Sequence, residues 1–155
     1  MGNTPEEIQA ISAARFIAYR YLTRREHSCK ELKEKLARKG VPCSVISVAL
    51  DELVNEGLQS DQRFCEMFTR SRVSRFYGPL KIRAELMKRG VSSGLIDQTL
   101  ELHQQAWPEL ARQWVLKRNR GNFDRNEKAR LYRSGTSRGF SHEHMMQAID
   151  WLQES

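Results

Sequence analysis

The chain has 155 residues, 39% hydrophobic and 29% charged, with a net charge of +7 and a pI near 9.6. No apolar run approaches the roughly 20 residues a membrane helix requires, and no secretory signal is expected, so a membrane or secreted role is set aside. Cys29, Cys43 and Cys65 are odd in number and form no CxxC pair, which favours a reducing cytoplasm, and the excess of base points to an anionic partner. Met1-Gly2-Asn3 resembles the start of a myristoylation signal, but Glu6 stands where Ser or Thr is required.

Thr4-Pro5-Glu6-Glu7 predicts a helix start. Thr4 can cap, Pro5 suits the first helical position, and Glu7 completes a capping box. This helix is expected to run through Ile17, Tyr21 and Leu22 to about Arg25. Ser28-Cys29-Lys30-Glu31 is a second capping box, opening a helix with Leu32 and Leu36 on one face and Gly40 as its left-handed stop. Pro42 and Ser44 begin a third helix, whose stripe includes Ile46, Ala49, Leu50 and Leu53; Gly57 ends it. Asp61 is expected to cap a fourth helix carrying Phe64, Met67 and Phe68. Gly78-Pro79 reads as punctuation before a fifth helix with Ile82 and Leu86, stopped by Gly90. Ser92 or Ser93 caps a sixth, with Leu95, Ile96, Thr99, Leu100 and Leu102. Pro108 opens a seventh, with Leu110, Ala111, Trp114 and Val115. Asn119 to Asn122 reads as a loop. Asp124 and Glu127 then form a capping box for an eighth helix, and Ser141 caps a ninth with Met145, Met146, Ile149 and Leu152.

These nine helices fall into a repeat. Lys35-Leu36-Ala37-Arg38-Lys39-Gly40-Val41, followed by Ile46 and Leu50, is echoed fifty residues on by Glu85-Leu86-Met87-Lys88-Arg89-Gly90-Val91, followed by Ile96 and Leu100. A weaker third copy places Arg138-Gly139-Phe140 before Met145 and Ile149. A fixed period in the high forties marks an array of helical units. The expected fold is therefore all-α: an elongated array of three tandem three-helix repeats, at residues 1–58, 59–106 and 107–155. In this register Gly135 falls where Leu36 and Leu86 stand in the other copies. A glycine there costs about 1 kcal/mol of helix stability relative to Ala, so the eighth helix should be the weakest of its kind or end early.

Charge follows the repeat. Residues 43–56, 92–105 and 141–154, the last helix of each unit, contain no Lys or Arg and carry Asp51, Glu52, Glu56, Asp97, Glu101, Glu143, Asp150 and Glu154. The net charge rises from +1 over residues 1–60 to +3 over each of 61–107 and 108–155. Two clusters are dense. Arg70, Arg72, Arg75, Lys81, Arg83, Lys88 and Arg89 oppose only Glu85, while Lys117, Arg118, Arg120, Arg125, Lys128, Arg130, Arg133 and Arg138 oppose only Asp124 and Glu127. A basic flank of this kind suits phosphates or acidic side chains. The last helix of a helix-turn-helix reads bases with basic or amide side chains, so its acidic character here argues against operator recognition.

Catalytic patterns are missing. In His142-Glu143-His144 the two imidazoles point about 200° apart on a helix and cannot share a metal. His27 and His103 read as surface or boundary residues. There is no phosphate-binding glycine loop, nucleophile elbow or nucleotide fingerprint. A non-enzyme is expected, with no metal site and no cofactor. Trp114 and Trp151 read as core, whereas Phe76, Tyr77 and Phe123 lie near basic loops where aromatics can stack on single-stranded bases.

The run Tyr21-Leu22 to Arg24, Ser28 to Glu31-Leu32, Leu36, Lys39-Gly40-Val41, Asp61 to Phe64, Arg70, Arg72, Gly78-Pro79, Ile82, Glu85-Leu86, Arg89-Gly90-Val91 and Ile96 resembles the RecX family of bacterial regulatory proteins. The resemblance covers nearly the whole chain and is strongest in the central unit; Gly135 departs from it. It implies a cytoplasmic modulator of the RecA recombinase, acting in DNA recombination, repair and the SOS response; a monomer is expected from the repeat array. Such proteins bind in the groove of the RecA–DNA filament, inhibit ATP hydrolysis and strand exchange, and contact DNA within the filament while binding it weakly alone. The positions carried over are the basic residues around Gly78-Pro79 and in the third unit, Arg70 to Arg89 and Lys117 to Arg133 as named above. A second reading is a stand-alone, sequence-independent nucleic-acid-binding protein.

Overall fold

The computed structural model describes residues 2–155; Met1, which begins the myristoylation-like start, lies outside them. Among the described residues there are nine α-helices and no strand: α1 (Pro5–Leu22), α2 (Cys29–Arg38), α3 (Cys43–Asn55), α4 (Asp61–Ser74), α5 (Pro79–Lys88), α6 (Ser93–Leu102), α7 (Trp107–Arg118), α8 (Arg125–Ser137) and α9 (His142–Glu154). The all-α expectation of tandem three-helix units holds. No helix is long and apolar enough to cross a membrane among the described residues.

The caps follow the sequence closely. Thr4 with Glu7, and Ser28 with Glu31, make reciprocal capping boxes. Ser92 and Ser141 accept the backbone N–H groups of Leu95 and His144. Two caps differ. Ser60, not Asp61, accepts the Arg63 N–H, because the Asp61 carboxylate is committed to the Cys29 N–H at 2.8 Å and to Gln59 Nε2 at 2.9 Å. Asp124 accepts the Glu127 N–H, but Glu127 reaches the N–H of Arg120 at 2.6 Å instead of returning to Asp124. The first helix also ends sooner than expected, at Leu22, because the N–H groups of Arg24 and Arg25 both turn back to the Tyr21 carbonyl.

The chain forms two compact units, Met1–Met67 with Arg89–Val91 and Phe68–Lys88 with Ser92–Ser155. In the first, Ala18, Leu32, Leu36, Ile46, Leu50 and Leu53 form one core, and Ile11, Ala14 and Ala49 another where α1 meets α3. Burying a Leu or Ile side chain this fully contributes about 1.5–3 kcal/mol. His27, expected at the surface or boundary, belongs to this interior: it is 3% exposed, its Nδ1 donates to the Arg25 carbonyl at 3.0 Å, and its ring lies 5.7 Å from that of Tyr21. Burial pushes its pKa below the ordinary histidine value. In the second unit, α7 packs on α8 and α9 around Ala111, Trp114, Val115, Leu131, Phe140, Met145, Ala148 and Ile149.

Gly135 is the informative case in that core. The Phe140 N–H bonds to the Gly135 carbonyl just as the Val41 N–H bonds to that of Leu36, so the repeat register is right. The helix nevertheless continues through Ser137 and does not end early. A Cβ at Gly135 would overlap Sδ and Cε of Met145 and come within 3.1 Å of the Trp114 ring. The side chain missing from α8 is supplied by Met145 and Trp114 from its neighbours.

Each unit also contains the same lock between the start of a middle helix and an Arg-Gly turn. In the first, Ser28 Oγ donates to the Arg89 carbonyl at 2.8 Å, and Gly90 (φ +80°) lies against Lys30. In the second, the Gly78 N–H donates to the Arg138 carbonyl at 2.8 Å and the Leu80 N–H to that of Gly139 (φ +99°) at 2.9 Å. A Cβ on Gly78 would overlap the Gly139 backbone. Gly78 is thus a point of backbone-to-backbone approach as well as punctuation.

Candidate functional site

The second lock shapes a cationic surface. Phe76, the last non-glycine residue expected in a left-handed conformation, has φ +63°. Arg138 holds it there: Nε donates to the Phe76 carbonyl at 3.2 Å, Nη2 donates to the Arg75 carbonyl, and the guanidinium lies 3.9 Å from the Tyr77 ring. The Phe76 ring rests against the core of α7–α9, with Lys117 Nζ 4.4 Å from its centroid. Arg75, Phe76, Trp114, Lys117, Arg118 and Arg138 line a cavity of about 300 Å³. No carboxylate lines it, and the buried Trp114 indole N–H donates to no described atom.

A second anchor sets the α7–α8 loop. Glu127 is nearly buried and accepts from the Arg120 N–H, from Arg130 Nε at 2.7 Å and from Arg130 Nη2 at 2.9 Å. These bonds, Arg130 first, hold its pKa at about 2. Arg130 also donates to the Arg118 carbonyl at 2.6 Å. Two charged side chains therefore fix the backbone on which Arg118 and Arg120 stand.

The fourteen basic residues singled out by sequence differ in how far the fold engages them. Arg72, Arg83, Arg89 and Arg130 are engaged internally. Arg72 bonds Glu85 at 2.7 Å under the Phe68 ring, Arg83 pairs with Asp97 on α6, Arg89 lies 3.8 Å from Glu31, and Arg130 holds Glu127. Lys81 covers the Tyr77 ring at 5.1 Å, and Lys128 donates to Gln153 and lies 5.5 Å from the Phe123 ring. Lys88 is exposed. Arg70, Arg75, Lys117, Arg118, Arg120, Arg125 and Arg133 are exposed and form no ion pair among the described residues. These seven exposed charges are available to an anionic partner.

The aromatic candidates are accounted for differently. Phe76 and Phe123 are half-buried edges of the α7–α9 core, and Tyr77 is covered by Arg138 and Lys81. Trp114 is core, as expected, and Trp151 packs against it from the margin. His142 meets the Tyr132 hydroxyl at 2.8 Å, and His144 is half-buried with its pKa lowered by burial. Among the described residues, no three His, Cys, Asp or Glu side chains come together as a metal site would need.

Comparison with known proteins gives this surface a context. Family models match residues 60–100 as the second three-helix domain of RecX and residues 14–53 as the first. Regulatory protein RecX of Chromohalobacter salexigens is 43% identical over 133 residues, covering 85% of this chain and 88% of its own. The RecX of Pseudomonas entomophila is 41% identical over 133 residues, covering 84% and 86%. That of Halorhodospira halophila is 46% identical over 103 residues, covering 66% and 64%. The crystal structure of RecX from Lactobacillus salivarius shares the fold at a TM-score of 0.78 and 22% identity, over 96% of this chain and 99% of that one. With two of its helical triplets matched by the family's own domain models and relatives alike over most of its length, the chain belongs to the RecX family of regulatory proteins.

Proposed function

We propose that the protein is a non-catalytic cytoplasmic regulator that binds the RecA–DNA filament and inhibits RecA's ATP hydrolysis and strand exchange. Membership of a family of regulatory proteins supports this choice of partner. The observation that carries the mode of binding is the set of unpaired cations on the end of α4, on α7 and in the α7–α8 loop, held in place by Arg138 and Glu127. A filament groove offers both phosphates and acidic side chains. Contacts of this kind gain from counterion release and from charge complementarity.

The internal pairs sharpen the test. Reversing Arg72 would break its bond to Glu85 and confound folding with binding. Reversing Arg70 and Arg75 together, or Lys117, Arg118 and Arg120 together, to Glu should relieve inhibition of RecA ATP hydrolysis while the helical circular dichroism stays intact. On free single-stranded DNA the same protein should bind weakly and bind more tightly when RecA coats the strand. Tight, strongly salt-dependent binding to bare DNA, with no effect on RecA, would support the stand-alone nucleic-acid reading instead.

A further inference from the structure

We infer that the first unit carries a second anion site, a seat for one nucleotide of a single strand, on α1, the turn after it and the α2–α3 turn. Its walls are Phe16, Ile17, Arg20, Tyr21, Arg24 and Lys39, around a cavity of about 310 Å³. That volume lies at the lower end of the roughly 300–1,000 Å³ usual for small-ligand clefts.

The charges here are set apart from their neighbours. In the same unit Arg15, Arg25, Arg63 and Arg89 each lie within 4 Å of a carboxylate. Arg20, Arg24 and Lys39 form no ion pair among the described residues, and no carboxylate lines the cavity. Phe16, 63% exposed, stands one helical turn before Arg20. Tyr21 is a fixed wall, held by Lys35 Nζ 4.7 Å from its centroid and by the His27 ring.

The second unit shows what such a place holds. With buried Ala14 and Ala18 set in register with buried Ala111 and Val115, Ile17 falls at Trp114 and Arg20 at Lys117. Lys39, beside Gly40, falls at Arg138, beside Gly139. In the second unit an aromatic ring, Phe76, lies beside Trp114 under Lys117. In the first unit the six wall residues come from α1, the turn that follows it and the α2–α3 turn, and no ring from a segment before α1 lines the cavity. A planar group entering there meets a cation above it and an exposed phenyl ring beside it, while its charge meets two further cations. A nucleotide supplies both the plane and the phosphate. Inorganic polyphosphate lacks the plane, and an acidic peptide carries its rings and its carboxylates on separate side chains, whereas a nucleotide joins base and phosphate in one residue.

The test uses the full chain without RecA at low salt, reading the fluorescence anisotropy of a labelled oligothymidylate and of an abasic strand of equal length. Phe16→Ala should weaken oligothymidylate binding roughly five- to 150-fold, the range of one base–aromatic stack. It should leave the abasic strand bound as before. Arg24→Glu should weaken both strands and lower the slope of log affinity against log salt by about 0.7. Phe16→Leu, which keeps the apolar bulk, should behave as Phe16→Ala does and guards against a folding defect. Unchanged oligothymidylate binding by both Phe16 variants, or equal losses on the two strands, would overturn the inference. Either result leaves the RecA-inhibition reading to its own assay.

Discussion

Three glycines occupy the same place in the three helical triplets, and the structure assigns each a different cost of substitution. Gly40, Gly90 and Gly139 have φ of +85°, +80° and +99°. A left-handed alanine costs about 1–2 kcal/mol, offset by about 0.4–1 kcal/mol from the stiffer unfolded chain. Around Gly40 an added Cβ meets nothing within 4 Å, so Gly40→Ala should lose only about 1 kcal/mol. At Gly90 it would lie 2.7 Å from Cβ and 2.9 Å from Cδ of Lys30, and the first turn of α2 must give. At Gly139 it would lie 2.5 Å from the Lys81 backbone N and 2.9 Å from the Gly78 carbonyl oxygen. Backbone cannot swing aside as a side chain can. Relief there stretches the Gly78–Arg138 and Leu80–Gly139 hydrogen bonds as well. Gly139→Ala should therefore cost roughly 3–5 kcal/mol, from overpacking and weakened hydrogen bonds added to the left-handed penalty. Urea denaturation followed by helical circular dichroism gives the three values. The expected order is Gly40 least, Gly90 intermediate and Gly139 most. Equal losses at all three would refute the reasoning, since they would mean that φ alone matters and the turns are not locked.

Gly135→Leu restores the residue found in the other two triplets yet should destabilise by about 1–3 kcal/mol through overpacking; the double variant with Met145→Ala should recover part of the loss in a denaturation cycle. Glu127 is held below its ordinary 4.5, at about 2, so its contribution is full above 4.5 and is lost as pH falls toward 2. Glu127→Gln should flatten the pH dependence of stability across that window, measured by thermal unfolding at a series of pH values. Arg72→Ala should lose roughly 1–2 kcal/mol of stability in urea, against less than about 0.5 for Arg70→Ala, because only Arg72 closes a half-buried pair with Glu85.

The helix order and most caps were legible because they depend on neighbours a few residues away. Thr4, Ser28, Ser92 and Ser141 needed only the backbone of their own first turn. Partners distant in sequence were not legible. Asp61 reads as a cap but is drawn off by the Cys29 N–H, and Gly78 reads as punctuation before a helix while its partner lies at Gly139. The basic clusters were visible as a charge excess, but sequence could not show that Arg72, Arg83, Arg89 and Arg130 are engaged within the fold. Arg20, Arg24 and Lys39 went unmarked because acidic residues elsewhere in residues 1–60 reduce the net charge there to +1. The one usable sign was Phe16 and Arg20 at helical spacing outside the apolar stripe.

We propose that unpaired cations on the α4 end, α7 and the α7–α8 loop carry binding to the RecA–DNA filament. The most direct measurement is RecA ATP hydrolysis on single-stranded DNA, titrated with the parent chain and with the Lys117, Arg118 and Arg120 triple reversal to Glu, at several salt concentrations. Inhibition by the parent should weaken as salt rises. The triple variant should keep its helical signal, inhibit far less, and show a salt dependence flattened by about 0.7–0.9 per lost phosphate contact. A folded variant that inhibits like the parent at every salt concentration would contradict this proposal.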